Sequence, residues 1–265
     1  MLIEAAISCV LYNERMLLDL PRPIIFAHRG ASANAPENTL SAFELAASIG
    51  AEAIELDAKL TADGKIVVFH DPTLERTTDG AGRLSRKTLS ELRTLDAGKS
   101  FSEKFRGEKI PLLEEVFEAV GKKLFINVEL SNYTTPRDQL VVKVCDLVKM
   151  HTMQKSVIFS SFLASNLRMA RRLLPEVPRG LLAARGWLGA WARSFGFTFG
   201  EYEALHPYVT DVDAQQVRRV HRLKRRIHVW SVNAVEQIAR LKEWDVDGII
   251  TKDPRLALQA LGRRK

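Results

Sequence analysis

Between His28 and His70 the chain places two imidazoles, an arginine and a set of carboxylates at or near the ends of apolar runs. They read His28-Arg29-Gly30, Pro36-Glu37-Asn38-Thr39, Glu55-Leu56-Asp57 and Phe69-His70-Asp71. Glu55 and Asp57 stand two apart among apolar neighbours, so on a strand they project from one face. Two unpaired carboxylates side by side repel each other and are costly to desolvate, so that face is not ordinary core. A divalent cation bound through hard oxygen ligands is the simplest compensation. Beside it, two histidines can supply a base and an acid near neutral pH. The chemistry these residue types suit is metal-assisted acid/base catalysis.

The elements that must position these groups alternate along the chain. Ile24–Ala27 reads as a buried strand with His28 and Arg29 at its end, and Leu40 to Ile49 as a helix stopped by Gly50. A second strand runs from Ala53 to Leu60, Asp63-Gly64 signals a hairpin, and Ile66–Phe69 is the returning arm. Residues 71–110 are irregular, apart from a capping box at Thr88–Glu91, and are too long for a connector, so they read as an insertion over one end. Strands then recur at Leu124–Glu129, Val157–Ser161, Gly180–Ala183, Leu205–Tyr208, Ile227–Val232 and Gly248–Thr251, with helices between and Asp253-Pro254 opening the last.

Eight strands alternating with helices, and no glycine-rich loop after the first, predict an α/β fold: an eight-stranded parallel (β/α)8 TIM barrel. The whole chain, 1–265, forms one domain, with an N-terminal helix over residues 1–20 and a small insertion after strand two at about 71–110. In such a barrel the active site lies at the C-terminal ends of the strands. His28, Glu55, Asp57, Glu129 and Trp230 all fall there.

Composition narrows the field further. An apolar fraction of 46% supports a sizeable core, and the net charge of +7 favours anionic partners without naming one. Two cysteines, Cys9 and Cys145, lack metal-type spacing and exclude a disulfide framework. No apolar run approaches a membrane span and the N-terminus lacks the marks of a signal peptide, so the expectation is a cytoplasmic enzyme with no stable membrane insertion.

Taken together, Ala27-His28-Arg29-Gly30-Ala31, Pro36-Glu37-Asn38-Thr39, Glu55-Leu56-Asp57, His70-Asp71-Pro72, Asn127-Val128-Glu129 and His228-Val229-Trp230-Ser231-Val232-Asn233 closely resemble the glycerophosphodiester phosphodiesterase family. The matching pieces run in order from residue 24 to about residue 254. The resemblance implies hydrolysis of a small-molecule glycerophosphodiester to glycerol 3-phosphate and an alcohol. By position, Glu55, Asp57 and Glu129 would bind one divalent cation, Ca²⁺ or Mg²⁺. Arg29 would bind phosphate, and His28 and His70 would be the acid/base pair. Glu37 is implied as a carboxylate on the metal side or one that supports the metal's ligands from behind. The types suit the reaction, because a guanidinium can bind two phosphodiester oxygens at once. One departure stands out: many members carry a lysine two residues after the third metal glutamate, where this chain has Ser131.

Each residue also has a plainer reading. A lone histidine at a strand end is usually structural, and only the joint pattern assigns His28 and His70 to catalysis. Trp230 either contacts substrate or fills the barrel mouth. Asn127 shares the Glu129 face and either supports a metal site or satisfies backbone groups. The basic run Arg218, Arg219, Arg222, Lys224, Arg225 and Arg226 sits on a helix docked by Val217, Val220 and Leu223, and reads as a solvated face rather than a nucleic-acid site. The aromatic region Trp187, Trp191, Phe195, Phe197 and Phe199 reads as the fifth barrel helix and its loops, with a lipid-facing lip as the alternative. The runner-up functions are a lysophospholipase D-type hydrolase and a catalytically silent phosphodiester-binding barrel.

Overall fold

The functional groups hang on one closed sheet and on the turns that follow its strands. The structure, a computed structural model, describes residue 20 and residues 22–263. The helix expected over residues 1–20 therefore lies outside the described residues, Leu20 excepted. The strands are β1 (Ile24–His28), β2 (Ala53–Leu60), β3 (Ile66–Val68), β4 (Phe125–Leu130), β5 (Val157–Ser161), β6 (Arg179–Ala183), β7 (Ala204–Pro207), β8 (Arg226–Val229) and β9 (Gly248–Thr251). Eight of them are parallel and close into a barrel through β1 with β2 and β1 with β9, while β3 returns antiparallel on β2 as the hairpin.

Helices wrap this barrel: α1 (Leu40–Ile49), α2 (Leu89–Thr94), α3 (Leu113–Val120), α4 (Leu140–Met150), α5 (Ala164–Leu173), α6 (Ala214–Arg222), α7 (Val235–Glu243) and α8 (Pro254–Ala260). Local signals explain their limits. Thr39 caps α1 by accepting from the Ala42 N–H, and Gly50 ends it in a left-handed turn. α1 buries Phe43, Ala46 and Ile49 against the barrel, and truncating a fully buried phenylalanine such as Phe43 costs about 3–5 kcal/mol. The capping box at Thr88 and Glu91 is present, and Asp253 caps α8 with Pro254 at its first turn.

Two layers of core result. The outer one lies between strands and helices. The inner one fills the lower barrel with Ile24, Phe26, Ala53, Phe125, Ile158 and Ala204. His206 and His228 also lie buried in the interior, Nε2 to Nδ1 at 3.0 Å. Gly180 makes room for them, since a Cβ there would come within 2.3 Å of the His206 ring.

The 71–110 insertion has a small core of its own, with Phe69, Leu74, Leu84, Leu92, Ala97 and Ile110 packed under it. Glu108 fastens it to α1 through the Ser41 hydroxyl at 2.5 Å. Two expectations change. β8 stops at Val229 rather than Val232: Trp230 still bridges Tyr208 beyond β7, its N–H donating to the Pro207 carbonyl at 3.0 Å, and the chain leaves the ladder after that residue. The fifth barrel helix is not one helix but short helical pieces at Gly186–Gly189, Ala192–Gly196 and Phe197–Phe199, broken at Ser194 by non-helical backbone angles.

Candidate active site

The strand register brings the carboxylates together. Glu55 pairs with Asn127 and Asp57 with Glu129 across β2 and β4, so all four point into the barrel at two adjacent levels. Ligand oxygens of Glu55, Asp57 and Glu129 lie within 4.8 Å of one another. Burial pushes the Glu55 carboxyl well above the ordinary range, and Asp57 and Glu129 add to it. Burial, then Asp57, pushes Glu129 up to about 8, although the Tyr133 hydroxyl donates to its Oε1 at 2.8 Å. Asp57 is different. Burial opposes its charge, yet Arg29, His70 and the Asn38 amide, which donates to Oδ2 at 2.9 Å, hold it below its ordinary value.

These residues fit a divalent cation. Three hard oxygen ligands converge, and the buried Asn127 Oδ1 beside them has no hydrogen-bond partner. A cation would relieve the repulsion that drives Glu55 and Glu129 toward protonation.

The turn after β1 places the next groups. Arg29 takes a left-handed conformation at φ 58°, and its N–H reaches both the Glu55 carbonyl at 2.9 Å and Glu55 Oε2 at 3.1 Å. Gly30 follows at φ 82°, where a Cβ would fall 2.6 Å from that of Ala42, so only glycine fits. The Arg29 guanidinium donates from Nη1 to Glu37 Oε1 at 2.9 Å and places Nε 3.4 Å from Asp57 Oδ2. His28 is buried with Nε2 at 3.7 Å from Glu55 Oε2 and Nδ1 at 3.0 Å from the Ser231 hydroxyl. Burial, then Arg29, holds its pKa down to about 3, so the ring is neutral at neutral pH.

His70 follows β3 and faces the same cavity. Its Nδ1 donates to Asp71 Oδ1 at 2.5 Å, which fixes the ring and leaves Nε2 as the group that can meet a ligand. Asp71 is itself held. Arg76 donates to its Oδ2 at 2.5 Å and spans to both oxygens of Glu37 at 2.7 and 2.9 Å. Glu37 is therefore gripped by Arg29 and Arg76 at the rim. Against the push of burial, Arg76 and Arg29 hold Glu37 down to about 2; Arg76 and His70 do the same for Asp71.

The cavity measures about 230 Å³. His28, Arg29, Glu55, His70, Asn127 and Glu129 line one side, and Phe162, Leu182, Trp230 and Ile250 the other. Trp230 donates Nε1–H to the His206 carbonyl at 2.8 Å, and the edges of Phe162 and Tyr208 flank it at ring distances of 5.9 and 5.1 Å.

Most of the residues singled out in the sequence thus meet around one cavity; Asp57 is buried in the acidic cluster and Glu37 stands back from it, on Arg29. In the sequence Asp71 appears only within the pieces around His70, such as His70-Asp71-Pro72, without a role, and Arg76, Tyr133, Phe162 and Lys59 carry no mark. Asp71 stood beside His70 as a signal; Arg76 lies in the irregular insertion and had none. Lys59 is the most telling omission. It continues the inward face of β2 two residues past Asp57, and its Nζ donates to the Ser131 carbonyl at 2.6 Å. Burial lowers its pKa, against the pull of Asp57 and Glu129. Of the basic run, Arg219 donates to the Arg193 carbonyl and Arg225 to the Phe197 carbonyl, so that face is partly a brace for the aromatic segment rather than wholly solvated.

Comparison with known proteins gives one consistent result. The model of the Glycerophosphoryl diester phosphodiesterase family matches residues 28–256. A glycerophosphodiester phosphodiesterase of Caldanaerobacter subterraneus subsp. tengcongensis is 38% identical over 234 residues, covering 88% of this chain and 95% of that protein. Among solved structures, a phosphodiesterase of Oleispira antarctica in complex with the product sn-glycerol-3-phosphate superimposes with a TM-score of 0.83 at 31% identity, over 91% of this chain and 97% of its own. A glycerophosphodiester phosphodiesterase of Agrobacterium tumefaciens gives 0.77 at 28% identity, over 89% and 98% of the two chains.

Proposed function

Since the chain belongs to the glycerophosphoryl diester phosphodiesterase family, we propose that it hydrolyses glycerophosphodiesters to glycerol 3-phosphate and an alcohol, with one divalent cation and with His28 and His70 as acid and base. The observation that carries the reading is the meeting of Glu55, Glu129, Arg29 and both imidazoles around one cavity, with Asp57 completing the acidic cluster. The product bound to the Oleispira antarctica relative supports the glycerol 3-phosphate half.

Glu55, Asp57 and Glu129 would hold the cation, Ca²⁺ or Mg²⁺, which when bound neutralises charge on the phosphoryl oxygens. Arg29 binds phosphoryl oxygens from the other side, its guanidinium aimed by Glu37. One imidazole takes the proton of the attacking water as the new P–O bond forms. The other returns a proton to the alkoxide as the old P–O bond breaks. Asp71 keeps His70 in a single orientation. Trp230 and Phe162 close the opposite side around the glycerol. Lys59 supplies the positive charge that Ser131 does not, from the neighbouring strand and behind the carboxylates.

At about 230 Å³ the cavity is small beside the roughly 300–1,000 Å³ of common ligand pockets, which favours water-soluble glycerophosphodiesters over acylated ones. Among the described residues no helix is long and apolar enough to cross a membrane. The test is release of glycerol 3-phosphate from glycerophosphocholine, with and without chelator. Metal-restorable turnover is expected; undiminished turnover in excess chelator overturns the metal assignment, and none under any divalent ion overturns the activity.

A further inference from the structure

Half of the exposed large hydrophobic residues among the described ones, five of ten, fall within the thirteen residues from Trp187 to Phe199. Trp187 is 84% exposed, Leu188 67%, Trp191 58%, Phe195 70% and Phe199 79%. The aromatics recur every fourth residue, at 187, 191, 195 and 199, and Phe195 and Phe199 stack at 6.0 Å. Exposed apolar clusters of this kind mark interaction surfaces rather than idle surface.

The segment is a built platform. Arg193 donates from Nη1 to Asp211 Oδ2 at 3.0 Å and to the Ala184 carbonyl at 2.9 Å, and from Nη2 to the Gly186 carbonyl at 2.7 Å. The Gly186 N–H donates to the same Asp211 oxygen at 2.6 Å. Phe197 is turned inward to the core, with the Arg225 guanidinium 5.0 Å from its ring. The backbone is thus fixed from below while the other aromatics face out.

Charge around the platform is one-sided. Residues 177–200 contain three arginines and no acidic residue; Arg179 and Arg193 are paired with Glu203 and Asp211, so Arg185 and the neighbouring helix supply the excess charge. Contacts from Arg219 and Arg225 place α6 beside it, and Arg218, Arg222 and Lys224 of that basic run are exposed. Nearby carboxylates are engaged: Glu201 with Arg171, Glu203 with Arg179, Asp211 with Arg193, and Asp213 with the Gln216 N–H at the start of α6. A second copy of the chain would bring two such basic strips together in a symmetric pair and be repelled. An anionic lipid surface suits both features, since tryptophan and phenylalanine settle in the headgroup region and arginines are drawn to acidic lipid.

We propose that residues 187–199, with the basic strip of α6, dock the protein on anionic lipid bilayers. The segment begins just beyond β6, so docking brings the barrel mouth to the lipid surface. Arg185 joins the two: its guanidinium lies 5.5 Å from the Tyr208 ring, which packs on Trp230 at the cavity. The inference rests on exposure and charge, not on the catalytic reading.

The test is co-sedimentation of the full chain with vesicles of phosphatidylcholine alone and of phosphatidylcholine with equal phosphatidylglycerol. Binding to the mixed vesicles only, weakened by salt, is expected. Trp187→Ser with Trp191→Ser and Phe195→Ser should lower partitioning at least about tenfold, with glycerophosphocholine turnover in solution unchanged. Arg218→Gln with Arg222→Gln should weaken binding and flatten its salt dependence. Failure to bind the mixed vesicles, or equal binding by wild type and the triple variant, overturns the proposal. So does a dimer at micromolar concentration that the triple variant dissolves, which would make a second copy the occupant. If the triple variant does not fold, the single change at the highly exposed Trp187 decides.

Discussion

The barrel mouth has two unlike halves. On the side of β1, β2 and β4, nearly every functional atom is charged and held by a named partner: Arg29 by Glu37, Glu129 by Tyr133, His70 by Asp71, and Asp71 by Arg76. On the side of β5 to β9, Phe162, Leu182, Trp230 and Ile250 present rings and methyl groups, fixed mainly by packing and by one indole hydrogen bond. On the proposed function the charged half would do the chemistry and must be correct atom by atom, because a partly satisfied buried network is worse than none. The apolar half sets shape and dryness, and such surfaces tolerate replacement as long as volume is kept.

The largest expected effect comes from the charged half. Glu55→Gln should abolish both divalent-ion binding, read by calorimetry, and turnover, while leaving thermal stability at or above wild type because one buried repelling carboxylate is gone. Tight ion binding by that variant would show that the cluster is not the metal site. His28→Ala and His70→Ala should each lower turnover by about 10²–10⁴; near-normal turnover in either removes that residue from the acid/base pair. Lys59→Met should cost roughly tenfold or more, with recovery in Lys59→Arg, since only the charge is called for. A silent Lys59→Met would leave Ser131 without a substitute cation.

The apolar half should respond differently in kind. Trp230→Ala should raise KM by about tenfold with kcat within a few-fold of wild type, the signature of lost uniform binding. A fall in kcat with unchanged KM would place Trp230 with the catalytic groups and erase the distinction between the halves.

The same division explains what could be read from the sequence. The charged half is written in short contiguous pieces, because a turn and a two-residue strand repeat are local: His28-Arg29-Gly30 and Glu55-Leu56-Asp57 carry their geometry with them. The barrel was legible for a similar reason, since strand and helix periods are local signals and the eight parallel strands recur where the alternation put them. What escaped depends on distant pairing. Lys59 and Ser131 become neighbours only through the β2–β4 register. Phe162, Leu182 and Ile250 look like any core residue until the barrel closes. Arg76 sits in a segment with no periodicity at all. The length of β8 and the broken helix after β6 are also not local: β8 runs only as far as β7 offers it partners, to the bridge between Trp230 and Tyr208, and the helical pieces are held by Arg193 and Arg225.

Arg76 gives the smallest and sharpest test, because it belongs to the charged half yet stands at its rim, about half exposed. It donates to Glu37 and Asp71, which stand at or below about 20% exposed, and both carboxyls are held down to about 2 against ordinary values of 4.5 and 3.8. A depressed carboxyl stabilises the fold fully above its unfolded value and loses that contribution as pH falls through its folded value. The network's share is therefore complete above about pH 4.5 and gone near pH 2. Arg76→Met should lower stability by about 1–2 kcal/mol at neutral pH, a figure kept small by solvent screening at the rim. Melting curves of wild type and variant should converge as pH is lowered from about 4.5 toward 2, and not above that window. Turnover should fall only about tenfold or less, since Asp71 still orients His70 without its clamp. A constant gap between the two curves across the acid range would mean that Arg76 acts by packing, and that charge pairing at the rim adds nothing to the half of the mouth that it borders.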